Sequence, residues 1–385
     1  MKKLIALLLC LSLLVSLAAC GRGGQTTETA AFTVPLDDAS YVYQAADDAV
    51  PLPGGASIAL AADAAGIESG PDALLWQGIQ TFAANFGYTA QSCLYGEGAS
   101  LATAEDALRA AAQSGAALVV CRGEAMAKAL FNIQANYPNV HYLLFDNEPH
   151  SEDYTSYATE ASVHCVLFRE EQAGYLAGYA AVAEGYTALG FVGRDELPGI
   201  VRYCTGFLQG ANAAAERQGQ NVTLRVWYTG DIGDPAVVTQ RMIDWFNGGT
   251  GLILADGDAL MQSALEAVNQ TGAKAFATGW DQNALGERVL GSAIQCYNAA
   301  VQRQLYKFFS GNSTWSQQDA GQTERLGYTD GSVALAGSAW RFNNFTQNDY
   351  ERLYEQLRNS ELEVEAYADM NTLPDTPLVT VTVEN

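Results

Sequence analysis

Short apolar runs alternate with segments of helical periodicity along the chain from Ser57 onward. Eight runs predict buried strands, because each is apolar over five to seven positions and turn residues bound it. They are Ser57–Ala62, Tyr88–Leu94, Ala117–Cys121, His141–Asp146, Ala188–Gly193, Val222–Tyr228, Gly251–Ala255 and Lys274–Gly279. Seven segments between them predict helices, and three begin with a proline, which a helix tolerates at its first position. They are Pro71–Phe86, Thr103–Ser114, Ala125–Asn136, Glu170–Glu184, Pro198–Gln218, Pro235–Asn247 and Asp258–Thr271.

Strands that are each followed by a helix predict an α/β fold with two doubly wound parallel sheets. A further apolar strand, Ala161–Phe168, leads into the helix at Glu170 and indicates the boundary between two lobes joined by a hinge. We predict one lobe from residues 56–163 plus about 281–320, and another from residues 164–280 plus about 321–385. Ligands of open α/β sheets bind outside the carboxyl ends of the strands. Two such sheets facing each other predict a ligand-binding cleft.

The N-terminal residues have the pattern of an export signal. Two lysines precede an apolar stretch, Leu4–Leu17, that is too short to span a membrane comfortably. The following Leu17–Cys20 resembles a bacterial lipobox, which implies a signal peptide of residues 1–19 and lipidation of the Cys20 thiol. We therefore expect a lipid-anchored protein on the extracytoplasmic face of the cell membrane, with a polar linker over residues 20–55. The alternative is an ordinary signal peptide in which Cys20 is incidental.

Composition excludes several classes of function. The chain has 20 Lys and Arg against 43 Asp and Glu, a net charge of −23, so a nucleic-acid partner is not expected. Only three histidines occur and none is four residues from another, which argues against a zinc enzyme, and we expect no metal and no cofactor. The five cysteines of the body lie far apart in the sequence, which predicts buried free thiols. The alternative is a single disulfide between two of them. They are Cys93, Cys121, Cys165, Cys204 and Cys296.

Candidate ligand-binding residues follow directly after the predicted strands. Carboxylates accept hydrogen bonds from hydroxyl or amine groups, and arginines bind anions or stack on rings. The candidates from this position are Arg122, Asp146, Arg194, Asp256, Trp280 and Asp281. We regard Trp280 and Asp281 as the best pair, because a flat ring beside a carboxylate suits a solute ring that carries NH or OH donors. The alternatives are helix caps or loop positions for the acids, salt bridges for the arginines, and for Trp280 a position in the hinge where it packs against its own lobe.

Four motifs, in the right order, resemble those of the basic membrane protein family, the substrate-binding lipoproteins of ABC importers, which include purine-nucleoside binders. The matching stretches are Gln172–Tyr179, Leu189–Gly193 with Gly206–Ala211, Gly279–Gln282 with Val289–Ser292, and Leu326–Val333. The resemblance implies a fold like that of the type I periplasmic binding proteins. It also implies a small-molecule ligand such as a nucleoside, ABC permease partners, and no enzymatic activity; we expect a monomer.

The first-lobe motif of that family, Asp-x-x-Phe-Asn, is altered here. Glu68 stands at the position of its Asp, Pro71 at that of the Phe, and Asp72 at that of the Asn. Glu68 and Asp72 are therefore candidate ligand residues by resemblance. Gln295 stands where the family often has a lysine, so the identity of the solute is left open.

Two other functions stay open at this stage. A surface lipoprotein that signals to a membrane partner would have the same sequence features as a transport receptor. A glycosidase could use a carboxylate pair such as Asp256 and Asp258. The sequence has no nucleophile elbow, no Walker loop and no recognisable arrangement of His with Ser or Cys, so an enzyme is not the favoured hypothesis.

Overall fold

The computed structural model describes residues 38–46, 49, 51–96, 100–230 and 234–384. The predicted signal peptide, Cys20 and most of the predicted linker lie outside these residues. Residue contacts divide the chain into one unit of residues 1–33 and 46–48 and another of residues 34–45 and 49–385, and the described strands and helices belong to the second. Within the described ranges, no helix combines the length and the apolarity that crossing a membrane requires.

The described elements alternate between strands and helices. The strands are β1 (Ser57–Asp63), β2 (Thr89–Tyr95), β3 (Leu118–Arg122), β4 (His141–Phe145), β5 (Val163–Phe168), β6 (Ala188–Gly193), β7 (Val222–Tyr228), β8 (Leu252–Ala255), β9 (Lys274–Gly279), β10 (Val289–Gln295), β11 (Thr323–Leu326), β12 (Val333–Leu335) and β13 (Val379–Glu384). The helices are α1 (Pro71–Phe86), α2 (Leu101–Gln113), α3 (Gly123–Ile133), α4 (Glu170–Glu184), α5 (Pro198–Gln218), α6 (Pro235–Asn247), α7 (Asp258–Thr271), α8 (Tyr297–Ser310) and α9 (Gln347–Arg358).

Two sheets organise the fold. The first has the strand order β11-β5-β4-β3-β1-β2 and is parallel throughout. The second has the order β12-β10-β9-β8-β6-β7-β13, in which only β12 runs antiparallel to its neighbour. Helices α2 and α3 cover one face of the first sheet, and α6 and α7 cover one face of the second, each through a buried apolar cluster. The prediction of two doubly wound parallel sheets is confirmed.

The chain crosses between the sheets three times, after β5, after β10 and after β11. These crossings differ from the boundaries expected from the sequence. Strand β10 falls within the stretch expected in the first lobe, but it pairs with β9 in the second sheet. Strand β11 falls within the stretch expected in the second lobe, but it pairs with β5 in the first sheet. The expected boundaries differ because each crossing follows the end of a strand, and the apolar pattern of the sequence does not predict β10 and β11 as strands.

Helices α4 and α5 pack with almost no space between their backbones. A Cβ atom added to Gly206 would lie 2.0 Å from the carbonyl oxygen of Glu171, and one added to Gly210 would lie 2.0 Å from that of Tyr175. Only residues without a side chain allow this approach. The glycines of the Gln172–Tyr179 and Gly206–Ala211 motifs therefore have a packing role in this chain.

A segment ahead of β1, Asp38–Tyr43, lies against α8 and α1, and we call it the N-terminal strap. The Asp38 carboxylate accepts hydrogen bonds from the backbone N–H groups of Asn298 and Ala299, both at 2.9 Å. These are amides of the first turn of α8, whose partial positive charge favours an acidic partner. Gln77 of α1 donates to the Ala39 carbonyl at 2.8 Å. The strap thus joins two helices of the first lobe.

Candidate ligand-binding cleft

A cavity of about 460 Å³ lies where the two lobes meet. The first lobe contributes the loop before α1 and the first turns of that helix, and the second lobe contributes the ends of β9 and β10. The residues that matter most for its chemistry are Glu68, Gly70 and Leu74 of the first lobe, and Trp280, Asp281 and Gln295 of the second. The strap also reaches the cavity through Asp38 and Ala39. A solute in this space would contact both lobes.

The lobes touch at one edge of the cavity. The indole N–H of Trp280 donates to Asp258 Oδ1 at 2.8 Å. Gly70, at the N-terminus of α1, lies so close that an added Cβ would be 3.8 Å from the indole nitrogen and 3.9 Å from Asp258 Oδ2. Its φ of +85° is a conformation that glycine adopts without strain. The structure therefore has the lobes in contact around Trp280.

Beside the cavity, Arg122 joins the carboxylates of Asp72 and Asp146. Its Nε donates to Asp72 Oδ1 at 2.6 Å, and its Nη1 donates to Asp146 Oδ2 at 3.0 Å. The residues come from the end of β3, the start of α1 and the end of β4, which parallel strands bring to one edge of the sheet. Burial raises the pKa of the Asp146 carboxyl although the Arg122 charge acts to lower it.

Tyr297 links this cluster to the cavity. Its hydroxyl lies 2.8 Å from Asp146 Oδ2 and 2.7 Å from Gln295 Oε1, so its single proton can be donated to either acceptor. Burial raises the pKa of Tyr297, which keeps the phenol protonated. Asp146 Oδ1 is buried and has no hydrogen-bond partner among the described residues. An acceptor left in this state can take a donor from a solute.

In the second lobe, Asp256 follows β8 and accepts a hydrogen bond from Thr278 Oγ1 at 2.7 Å. The same hydroxyl oxygen accepts the backbone N–H of Gly257 at 3.2 Å. Burial raises the pKa of Asp256 to about 6, and the Thr278 hydrogen bond opposes this shift only in part. The carboxylate is therefore costly to hold in its charged form at neutral pH.

Replacement of Asp256 by asparagine is expected to stabilise the protein at neutral pH. The folded-state pKa of about 6 lies above the ordinary value of 3.8, so the folded state binds more protons between these values and stability falls as pH rises from about 4 to 6. Because water still reaches this residue in part, we expect a gain of about 2 kcal/mol for Asp256→Asn above pH 6. Thermal unfolding at pH 7.5 and pH 4.5 measures it; equal gains at both pH values would contradict the assignment.

The candidate residues from the sequence differ in their position relative to the cavity. Glu68, Trp280 and Asp281 border the cavity, and Asp72, Arg122 and Asp146 form the cluster beside it. Asp256 lies at the neighbouring strand end of the second lobe.

Arg194, the last of the candidate residues, and Asp258 have other partners. Arg194 is exposed, does not border the cavity, and its Nε lies 2.6 Å from Asp195 Oδ2. Gly257 is the N-cap of α7, and the carboxylate of Asp258, the first residue of that helix, accepts the indole N–H of Trp280.

Sequence reasoning missed Tyr297 and Asp38. Tyr297 begins α8 immediately after β10, so the rule that ligand residues follow strand ends would have found it had Val289–Gln295 been recognised as a strand. Asp38 lies 260 residues from its partner Asn298, and no local pattern indicates such a contact.

One group among the described residues combines metal-ligand side chains: His164, Asp319 and Glu324, with donor atoms within 4.8 Å of one another. Lys307 Nζ lies 2.5 Å from Asp319 Oδ1 and 3.1 Å from Glu324 Oε2. The Lys307 ammonium group therefore supplies the positive charge that a metal ion would supply there. The four side chains connect β5, β11 and α8. The five cysteines of the body are free thiols, four of them buried.

Comparison with known proteins agrees with this architecture. A family model described as "Bmp: ABC transporter substrate-binding protein PnrA-like" matches residues 57–368. Comparison with curated proteins gave no significant match.

Solved structures share the fold at low sequence identity. A solute-binding protein of an ABC transporter system from Aeropyrum pernix K1 is 19% identical with a TM-score of 0.61, covering 82% of this chain and 95% of its own. One from Conexibacter woesei DSM 14684 is 20% identical with a TM-score of 0.61, covering 81% and 99%. A transcriptional activator of the comK gene from Bacillus halodurans is 18% identical with a TM-score of 0.61, covering 83% and 99%. Because the family model covers most of the chain, the protein belongs to the Bmp family of PnrA-like ABC transporter substrate-binding proteins.

Proposed function

We propose that the protein is the lipid-anchored, extracytoplasmic receptor of an ABC importer and that it captures a small polar solute, such as a nucleoside, between its lobes. The observation that carries the proposal is the cavity of about 460 Å³ with walls from both lobes. Contacts made to both lobes at once favour the closed form, so solute binding and lobe closure are coupled. The lipobox-like Leu17–Cys20 supports anchoring at the membrane.

The polar groups around the cavity suit a solute rich in hydrogen-bond donors. Glu68 and Asp281 can accept hydrogen bonds from NH or OH groups, and Asp146 Oδ1, in the cluster beside the cavity, offers a buried acceptor. The indole of Trp280 offers area for a flat ring. Hydroxyls and ring NH groups of a nucleoside match these acceptors, and so do those of other donor-rich solutes.

The test is a binding screen with the processed protein. We expect at least one solute from a panel of nucleosides, sugars and amines to raise the melting temperature, because a ligand that binds only the folded state stabilises it. For that solute, Asp146→Asn is expected to weaken the affinity about tenfold or more. The asparagine oxygen can keep the bond to Arg122, and its NH₂ group, a donor, then stands where the unpaired acceptor Oδ1 was. The matched control, Asp106→Asn on the exposed face of α2, should leave affinity unchanged. A panel without any stabilising solute contradicts the proposal.

A further inference from the structure

The described residues that line the inter-lobe cavity include acidic side chains and no basic one. Asp38, Glu68 and Asp281 border it, and none of the described residues that border it is Lys, Arg or His. The printed partner of Asp281 is neutral: its Oδ1 accepts the backbone N–H of Asn283 at 2.9 Å. Neutral donors satisfy a carboxylate's hydrogen bonds but do not cancel its charge.

The basic side chain in the adjacent cluster does not change this balance. Arg122 is bonded to two carboxylates, Asp72 and Asp146, so the three groups together carry one net negative charge. Gln295, the wall residue that contacts this cluster through the Tyr297 hydroxyl, is a neutral amide. The charged side chains in and beside the cavity therefore sum to a negative charge, in a protein whose overall charge is −23.

The second feature of the cavity is the aromatic surface of Trp280. Its only polar atom, the indole nitrogen, already donates to Asp258, so the surface left for a solute is the carbon skeleton of the ring. A ring face attracts a cation, and the neighbouring carboxylate of Asp258 strengthens the negative potential there. Leu74, Ala73 and Ile294 add apolar wall, which favours an organic solute over a hydrated metal ion.

We propose that the solute of this cleft is an organic cation, held by the ring of Trp280 and the carboxylates of Glu68 and Asp281. This inference rests on the proposed function, and it narrows the solute from donor-rich molecules in general to those with a positive charge near an apolar or aromatic group. A quaternary or substituted ammonium compound and a positively charged nucleoside both meet the description. A solute with a phosphate or carboxylate does not, because no Lys, Arg or His stands among the described lining residues to receive it.

The experiment compares solutes that differ in charge and little else. Choline is paired with its carbon isostere 3,3-dimethylbutan-1-ol, and 1-methyladenosine, a cation at pH 7, is paired with adenosine; cationic, neutral and anionic metabolites in equal numbers complete the panel. We expect the tightest binder in calorimetric titration to be a cation, with affinity at least tenfold above that of its neutral partner. Raising the salt concentration should weaken the cation more than the neutral solute, because salt screens the charges of the open cavity.

Two variants test the assigned groups on the tightest binder. Asp281→Asn keeps an oxygen for the Asn283 amide but removes the charge, so we expect about tenfold weaker binding of the cation and less than a twofold change for its neutral partner. Trp280→Leu is expected to weaken the cation about tenfold. Glu152→Gln, in an exposed loop of the first lobe, is the matched charge control and should change neither.

The outcomes separate this proposal from the function on which it rests. A neutral or anionic solute as the tightest binder, or equal losses for both members of a pair in Asp281→Asn, overturns the cationic assignment and leaves the proposed receptor function standing. A panel in which nothing binds overturns both.

Discussion

The Gly210→Ala variant is expected to lose at least about 3 kcal/mol of folding free energy, because the new methyl group would lie within the backbone of α4. The added Cβ would be 2.0 Å from the Tyr175 carbonyl oxygen and 2.8 Å from the Tyr179 nitrogen. No rotamer change can relieve an overlap with main-chain atoms, so the two helices must move apart. Both helices are buried along most of their length, and separating them opens the core of the second lobe.

Thermal unfolding followed by circular dichroism measures the effect, and about 3 kcal/mol corresponds to a fall of roughly 6–12 °C in the melting temperature. Gly199→Ala is the matched control on the same helix. The nearest atom to its added Cβ is a side-chain oxygen at 3.7 Å, an ordinary contact, and alanine is the better helix former. We expect this control to melt at or slightly above the temperature of the unmodified protein. Equal melting temperatures for the two variants would show that the helices are not held this closely.

Removal of the Arg122 charge is expected to cost both stability and binding. In Arg122→Met the carboxylates of Asp72 and Asp146 lose the cation between them, and partly buried like charges then face each other. The Arg122 side chain is 26% exposed, so we expect a loss of about 2 kcal/mol, less than the loss for a fully buried ion pair. Solute affinity should fall by about a hundredfold, because the start of α1 and the end of β4 lose their common partner.

The loss in Arg122→Met should depend on pH. Burial already raises the pKa of Asp146, and without Arg122 that pKa rises further. A carboxyl with a raised folded-state pKa destabilises the fold above that pKa, and protonation at lower pH relieves the cost. The difference in melting temperature from the unmodified protein is therefore expected to be large at pH 8 and to shrink towards pH 4.5. Adding Asp72→Asn to the variant should recover part of the stability at pH 8, and a double variant less stable than Arg122→Met would refute the explanation.

The parts of the fold that sequence could predict are those with local and regular signals. Helices α4 and α5 match their predicted bounds because proline, glycine and apolar periodicity indicate both ends. Strand β11, Thr323–Leu326, is short and polar, and β10 contains glycine and serine, so neither resembles a buried strand. Pairing with distant strands overrides these weak local preferences.

The residues of the candidate site also differ in how far the sequence predicts their positions. Asp146 and Trp280 follow strands with clear patterns, and the rule for open sheets places them at the cleft edge, where the structure has them. Their role in binding stays a prediction. The bond from Arg122 to Asp72 and that from Asp38 to α8 depend on how separate segments pack, and residue spacing contains no information on either.

The strap would have a mechanical consequence under the anchoring at the N-terminal end that we propose. Several bonds fasten Asp38–Tyr43 to the first turns of α8, including those of Asn298 and Gln302. Tension arriving from that end meets this junction before it reaches β1, so the load is spread over a helix next to a crossing between the sheets. Drag on a molecule anchored in this way would thus act first on α8, which follows the crossing of the chain after β10.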